Sequence, residues 1–200
     1  MASIIEALAG QLLTGQMTGQ LSQALGTDEK TARTAASAAL PMILGALAKN
    51  AGKPDGAGAL LGALDRDHDG QILDDLPAFF QKGDVADGEG ILRHALGDHR
   101  APIEEGISKA AGLDPRQMAK MMALLAPVVM GALGRARKER QLDTGGLSDL
   151  LRGEEKVMRQ KAPEIGLMGS LLDKDGDGSI VDDVVGRIGK GLLGSLLRRN

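Results

Sequence analysis

Aspartate carries the chemistry of this chain. Two segments share one pattern: Asp65-Arg66-Asp67-His68-Asp69-Gly70-Gln71-Ile72-Leu73-Asp74-Asp75-Leu76 and Asp173-Lys174-Asp175-Gly176-Asp177-Gly178-Ser179-Ile180-Val181-Asp182-Asp183-Val184. Both read Asp-x-Asp-x-Asp-Gly-x-Ile-x-Asp-Asp. A hard divalent cation takes six to eight oxygen ligands. Carboxylates at positions 1, 3 and 5 of such a loop converge only if the chain curls sharply, and Gly70 and Gly178 at position 6 permit that turn. The carbonyls of Gln71 and Ser179 at position 7 add an oxygen each, and Ile72 and Ile180 anchor the loops on the core. Three carboxylates this close repel one another unless positive charge sits among them.

This spacing resembles the calcium loops of EF-hand and dockerin type. It departs from the EF-hand at position 12, where a bidentate acid belongs and Leu76 and Val184 stand. Asp75 and Asp183 are the expected closing ligands, through a loop one residue tighter. Asp74 and Asp182 are then candidates for capping the exiting helix or for binding through water. The expected ligand set is Asp65, Asp67, Asp69, Gln71 and Asp75 in the first loop, and Asp173, Asp175, Asp177, Ser179 and Asp183 in the second. Ca²⁺ is the expected ion, bound weakly at a Kd of ~10⁻⁴–10⁻³ M, and Mg²⁺ fits less well because it demands strict octahedral geometry. A structural staple is expected rather than a switch.

Other chemistries lack their parts. The chain has 200 residues, and its aromatics amount to two Phe with no Trp or Tyr, so base- and sugar-stacking platforms are missing. A formal net charge of −3 gives no global field to attract nucleic acid. With no cysteine there is no disulfide, thiolate nucleophile or Cys-type zinc site. Of the three histidines, His68 sits at loop position 4, facing away from a bound cation, and His94 and His99 are poorly spaced for one helical face. No phosphate-cradling loop, nucleophile elbow or His-Glu-x-x-His occurs, so no enzyme is expected.

The elements that must position these loops are helical. Helix formers dominate and alternating β-branched runs are missing, so the fold class is all-α, multihelical. An internal repeat sets the organisation: Leu40-Pro41-Met42-Ile43-Leu44-Gly45-Ala46-Leu47 matches Ala126-Pro127-Val128-Val129-Met130-Gly131-Ala132-Leu133, a shift of 86 residues (127 − 41). In each unit a first helix ends at a Gly cap, Gly26 or Gly112, and a second begins at Thr27 or Asp28, or at Asp114 with Pro115 and a Gln117 capping box. Pro41 and Pro127 are expected to kink or restart that second helix. The expected organisation is a duplicated helical domain over 1–134, with units at 4–48 and 90–134 and the first acidic loop, 65–76, between them. A charged linker or helix follows over 135–165, then the second loop and a basic amphipathic helix over 166–200. The acidic turn Asp84–Gly90 reads as a loop capping a helix begun at Ile91. The charged run from Arg135 to Lys161 reads as a solvated face, with a patch for anionic partners as the functional alternative.

Three segments resemble the bacterial domain of unknown function 937 family: Ala39 to Leu47, Asp87 to Gly97 and Leu125 to Leu133. The resemblance spans roughly Ile4 to Gly134 and implies a bacterial multihelical protein with no established activity. The reading is a calcium-binding helical protein, with calcium ions as its partners. The alternative is a membrane-surface or self-assembling protein, acting through the C-terminal helix, in which calcium is incidental. The longest apolar stretch, Met121 to Leu133, is too short to span a bilayer and reads as a buried helix. No export signal is seen, so a cytoplasmic location is the default, with non-classical export as the alternative that suits weak calcium sites.

Overall fold

The computed structural model describes residues 3–53 and 55–161. Among them every regular element is helical: α1 (Ile4–Leu12), α2 (Gly15–Leu25), α3 (Glu29–Ala51), α4 (Gly56–Arg66), α5 (Leu76–Lys82), α6 (Ala86–Leu96), α7 (Arg100–Ala111), α8 (Pro115–Arg140) and α9 (Thr144–Lys161). The second acidic loop and the C-terminal amphipathic segment lie outside the described residues.

Local sequence sets the helix ends. Gly26 and Gly112 close α2 and α7 in the left-handed conformation, with φ of 68° and 71°. Asp28 opens α3 by accepting from the Thr31 N–H at 2.9 Å and the Thr31 hydroxyl at 2.6 Å, contacts that hold its carboxyl below its ordinary pKa. Asp114 opens α8 by accepting from the Arg116 N–H at 2.8 Å, while Gln117 Oε1 accepts from the Asp114 N–H at 3.2 Å. The Gln117 amide also donates to the Leu25 carbonyl at 2.9 Å, tying α8 to the end of α2.

Neither internal proline restarts its helix. α3 runs unbroken through Pro41, and α8 through Pro127. A proline in mid-helix loses one hydrogen bond and crowds the preceding turn. Here that cost is offset by packing, because every residue from Met121 to Gly131 is buried. Both helices are long and apolar enough to cross a membrane, but 56% and 78% of their apolar windows are buried within the fold. Both pack against several other helices of the fold.

α8 is the central element, lying against α6, α3 and α7, while α3 also contacts α2 and α9. The core is built of Leu, Ala, Met, Ile and Val with Phe80, as the aromatic-poor composition requires. Without large rings to fill space, backbones come together. Gly88 of α6 rests on the Ala123 carbonyl of α8, where a Cβ would overlap the carbonyl oxygen. This contact also explains a departure from the sequence reading. The helix expected at Ile91 starts at Ala86, so most of the acidic turn is helical. Asp87 and Glu89 suit the positive end of that helix.

One carboxylate is buried. Glu154 of α9 is 5% exposed and accepts from the Ser3 hydroxyl at 2.5 Å, the Ile4 N–H at 2.8 Å and the Ile5 N–H at 3.1 Å. It therefore caps α1 from a helix 150 residues away in sequence, and its charge lies at the positive end of α1. Glu154→Ala is expected to lower unfolding free energy by roughly 2–4 kcal/mol in denaturant melts, and Glu154→Gln by about half as much. Equal stability of all three chains would show that this cap is dispensable.

Candidate metal-binding loop

The first acidic loop begins inside a helix. Asp65 occupies the last turn of α4, where the helix dipole disfavours an acid. Arg137 of α8 meets it there: its Nη2 donates to Asp65 Oδ2 at 3.0 Å, and its Nε lies 3.0 Å from Oδ1 as an ion-pair contact without a hydrogen bond. Asp67 follows at the end of α4 with its side chain 64% exposed, and lies 3.8 Å from Arg66. Asp69 accepts from Lys138 Nζ at 2.9 Å and from the Gln71 N–H at 3.1 Å. The Lys138 hydrogen bond, and after it the Gln71 N–H, hold the Asp69 carboxyl below its ordinary pKa.

Gly70 then reverses the chain at φ +99°. A side chain there would strain the backbone, and its Cβ would lie 2.9 Å from Arg135 Cβ. Gln71–Asp74 form one 3₁₀ turn, and α5 begins at Leu76. Asp75 caps α5, its carboxylate accepting from the Ala78 N–H at 3.1 Å. Asp74 points the other way and pairs with Arg135 Nη2 at 2.5 Å, while the same Arg135 nitrogen donates to the Gly70 carbonyl at 2.8 Å. The capping role proposed for Asp74 thus falls to Asp75.

The loop is seated on α8 through glycines. A Cβ on Gly131 would overlap Ile72, and one on Gly134 would overlap the His68 carbonyl. Ile72 packs against the core from this seat, in the anchoring place expected of it. The His68 side chain is only 11% exposed, and its Nδ1 lies 3.8 Å from Asp87 of α6. The structure therefore brings Asp65, Asp69 and Asp74 against one end of α8, leaves Asp67 exposed, and commits one oxygen of Asp75 to a helix cap. Among the described residues no three Asp, Glu or His side chains are gathered to hold a metal ion. Asp173, Asp175, Asp177, Ser179 and Asp183 lie outside them.

Sequence reasoning missed the basic partners. Arg135, Arg137 and Lys138 belong to a run expected to be a solvated face, and three of its cations instead face the acidic loop. The only sequence signal was the matching excess of opposite charge in two segments about 65 residues apart.

The arrangement defines a class: an all-helical protein whose acidic turn is seated on a central apolar helix and balanced by that helix's basic end. The family model of a bacterial protein of unknown function (DUF937) matches residues 6–136, and the chain belongs to that family. No curated protein and no solved structure matches it.

A carboxyl with a depressed folded-state pKa stabilises the fold above its unfolded value and loses that contribution as pH falls through the folded value. The Lys138–Asp69 contact should therefore persist through mildly acidic pH and fail only beneath the ordinary aspartate range. Carboxyl-detected NMR titration of Asp69 should give a midpoint that rises in Lys138→Gln. An unchanged midpoint would remove Lys138 as the cause.

Proposed function

We propose that this chain is a calcium-binding helical protein in which the ion staples two acidic loops, at 65–76 and 173–184. The repeated Asp-x-Asp-x-Asp-Gly spacing carries the reading. The donors are hard oxygens, the class that calcium selects. The left-handed backbone at Gly70 is the turn such a loop needs at position 6. In the first loop the ligands are Asp65, Asp67, Asp69, the Gln71 carbonyl and the free oxygen of Asp75. In the second they are Asp173, Asp175, Asp177, the Ser179 carbonyl and Asp183.

Weak binding follows from the surroundings. Asp65 and Asp69 already have cationic partners, so an entering ion gains less than it would in a naked acidic loop. A weak ion still stabilises the fold wherever its concentration exceeds Kd.

The same reading treats the helices around the first loop as two copies of one unit. Its support is the recurrence of left-handed Gly26 and Gly112, of N-terminal Asp28 and Asp114, and of Pro41 and Pro127 inside the second helix of each pair. Two similar helical pairs then frame an acidic loop inserted between them.

Calorimetric titration of the full chain with Ca²⁺ is the test. The wild type should bind with a Kd of ~10⁻⁴–10⁻³ M, and the double variant Asp67→Ala, Asp175→Ala should lose most of the heat. Indistinguishable heats from the two chains would remove calcium from the account.

A further inference from the structure

The seat of the first acidic loop on α8 has a counterpart on α3. On α8, Ile72 covers Gly131, where a Cβ would overlap it, and Arg135 donates to the Gly70 carbonyl and pairs with Asp74. The 86-residue shift of the internal repeat carries Gly131 onto Gly45, Gly134 onto Ala48 and Arg135 onto Lys49. The N-terminal Asp and the internal proline of the two helices agree under the same shift. Their burial does not. Pro127, Gly131 and Gly134 are buried, whereas Pro41, Gly45 and Ala48 are only half-buried. A Cβ at Gly45 would meet no described residue within 4 Å beyond its own turn of helix. Glycine weakens a helix interior relative to alanine. Ile72 accounts for the glycine at 131, and nothing among the described residues accounts for the one at 45.

We propose that this face of α3 is the docking site for the chain's second acidic segment, residues 173–184, held there as the first loop is held on α8. The inference rests on the duplicated-unit reading above and is independent of calcium. A shift of 108 residues (173 − 65) carries Gly70 onto Gly178, Ile72 onto Ile180 and Asp74 onto Asp182. Ile180 is then the side chain that covers Gly45, and Lys49 faces Asp182 as Arg135 faces Asp74, with opposite charges in both pairs. One position departs. Gly134 meets the His68 carbonyl, and its counterpart is Ala48, but the counterpart of His68 is Gly176. The extra methyl on the helix is matched by a glycine opposite it, whose backbone has the freedom to turn its carbonyl aside. Reach permits the contact. α9 packs on α3 and ends at Lys161. The chain from there to Asp173 spans up to roughly 40 Å when extended, and α3 is roughly 35 Å long. Docking of this segment completes the core over α3 and leaves that face unavailable to a lipid surface or a second copy.

Methyl NMR of the full chain tests this, with the first loop as internal standard. Cross-peaks between the Ile180 methyls and the Gly45 Hα are expected in both calcium-containing and chelator-treated buffer, matching those between the Ile72 methyls and the Gly131 Hα. Gly45→Leu fills the seat and should abolish the Ile180 contacts with α3 while the Ile72 cross-peaks remain. Ile180→Ala, which alters no described residue, should shift the Gly45 amide resonance and guards against misfolding of the first variant. If Ile72 gives its cross-peak and Ile180 gives none to Gly45 in either buffer, docking is overturned. The duplicated-unit reading has its own readout, because Leu21 and Ile107 are related by the same 86 residues and are both buried. Like contact patterns of Leu21 with α3 and Ile107 with α8, without the Ile180 cross-peak, would overturn docking alone. Unlike patterns would overturn the duplication and the equivalence of the seats with it. An Ile180–Gly45 cross-peak that proves intermolecular in a mixed-isotope sample would give the seat to a second copy and overturn docking within the chain.

Discussion

Backbone approaching backbone is the constraint on which this structure depends. The chain has two Phe and no other aromatic residue, so its core cannot be filled by large rings. Contact density must come from helices that nearly touch. Gly88 lets α6 lie on the Ala123 carbonyl, and Gly131 and Gly134 let the acidic loop lie on the other end of the same helix. The stretch of α8 between these contacts is wholly buried from Met121 to Gly131. One helix thus organises the core and fixes the position of the only described segment with metal-ligand spacing.

The same helix supplies the electrostatic balance. Its apolar middle makes the core, and its basic end meets the carboxylates of the loop seated beside it. Lys and Arg near a helix C-terminus are favourable in their own right. Placing the loop there therefore satisfies the helix end and the acidic cluster together. The other exceptional carboxylate, Glu154, follows the opposite logic. It is buried, and the N-terminus of α1, rather than a cationic side chain among the described residues, receives it. It joins the two ends of the described chain through α1 and α9, as a structural tie rather than a binding site.

Much of the fold was legible in the sequence, because its signals are local. The Gly26 and Gly112 caps, the Asp114-Pro115 helix start and the turn at Gly70 each depend on a residue's own backbone preference. The all-α class follows from composition and from the absence of strand patterning. The misses were set by tertiary packing. Pro41 and Pro127 did not interrupt their helices, because burial outweighs one lost hydrogen bond. The start of α6 moved from Ile91 to Ala86 because Gly88, a weak helix former, is held by its contact with α8. At the candidate site the acids and the glycine were legible, but their counter-ions were not. Nothing local links Asp65 to Arg137, and only the fold places them 3.0 Å apart.

Amide hydrogen exchange in a Gly134→Ala variant tests the central claim most directly. If α8 positions the acidic loop by close backbone approach, the added methyl should lift the loop off its seat at a cost of roughly 1–3 kcal/mol. The Leu73 amide, which donates to the Gly70 carbonyl at 3.1 Å, and the Gln71 amide should then lose protection, while amides in the middle of α3 keep theirs. Protection of Gln71 and Leu73 equal to that of the wild type would contradict the account.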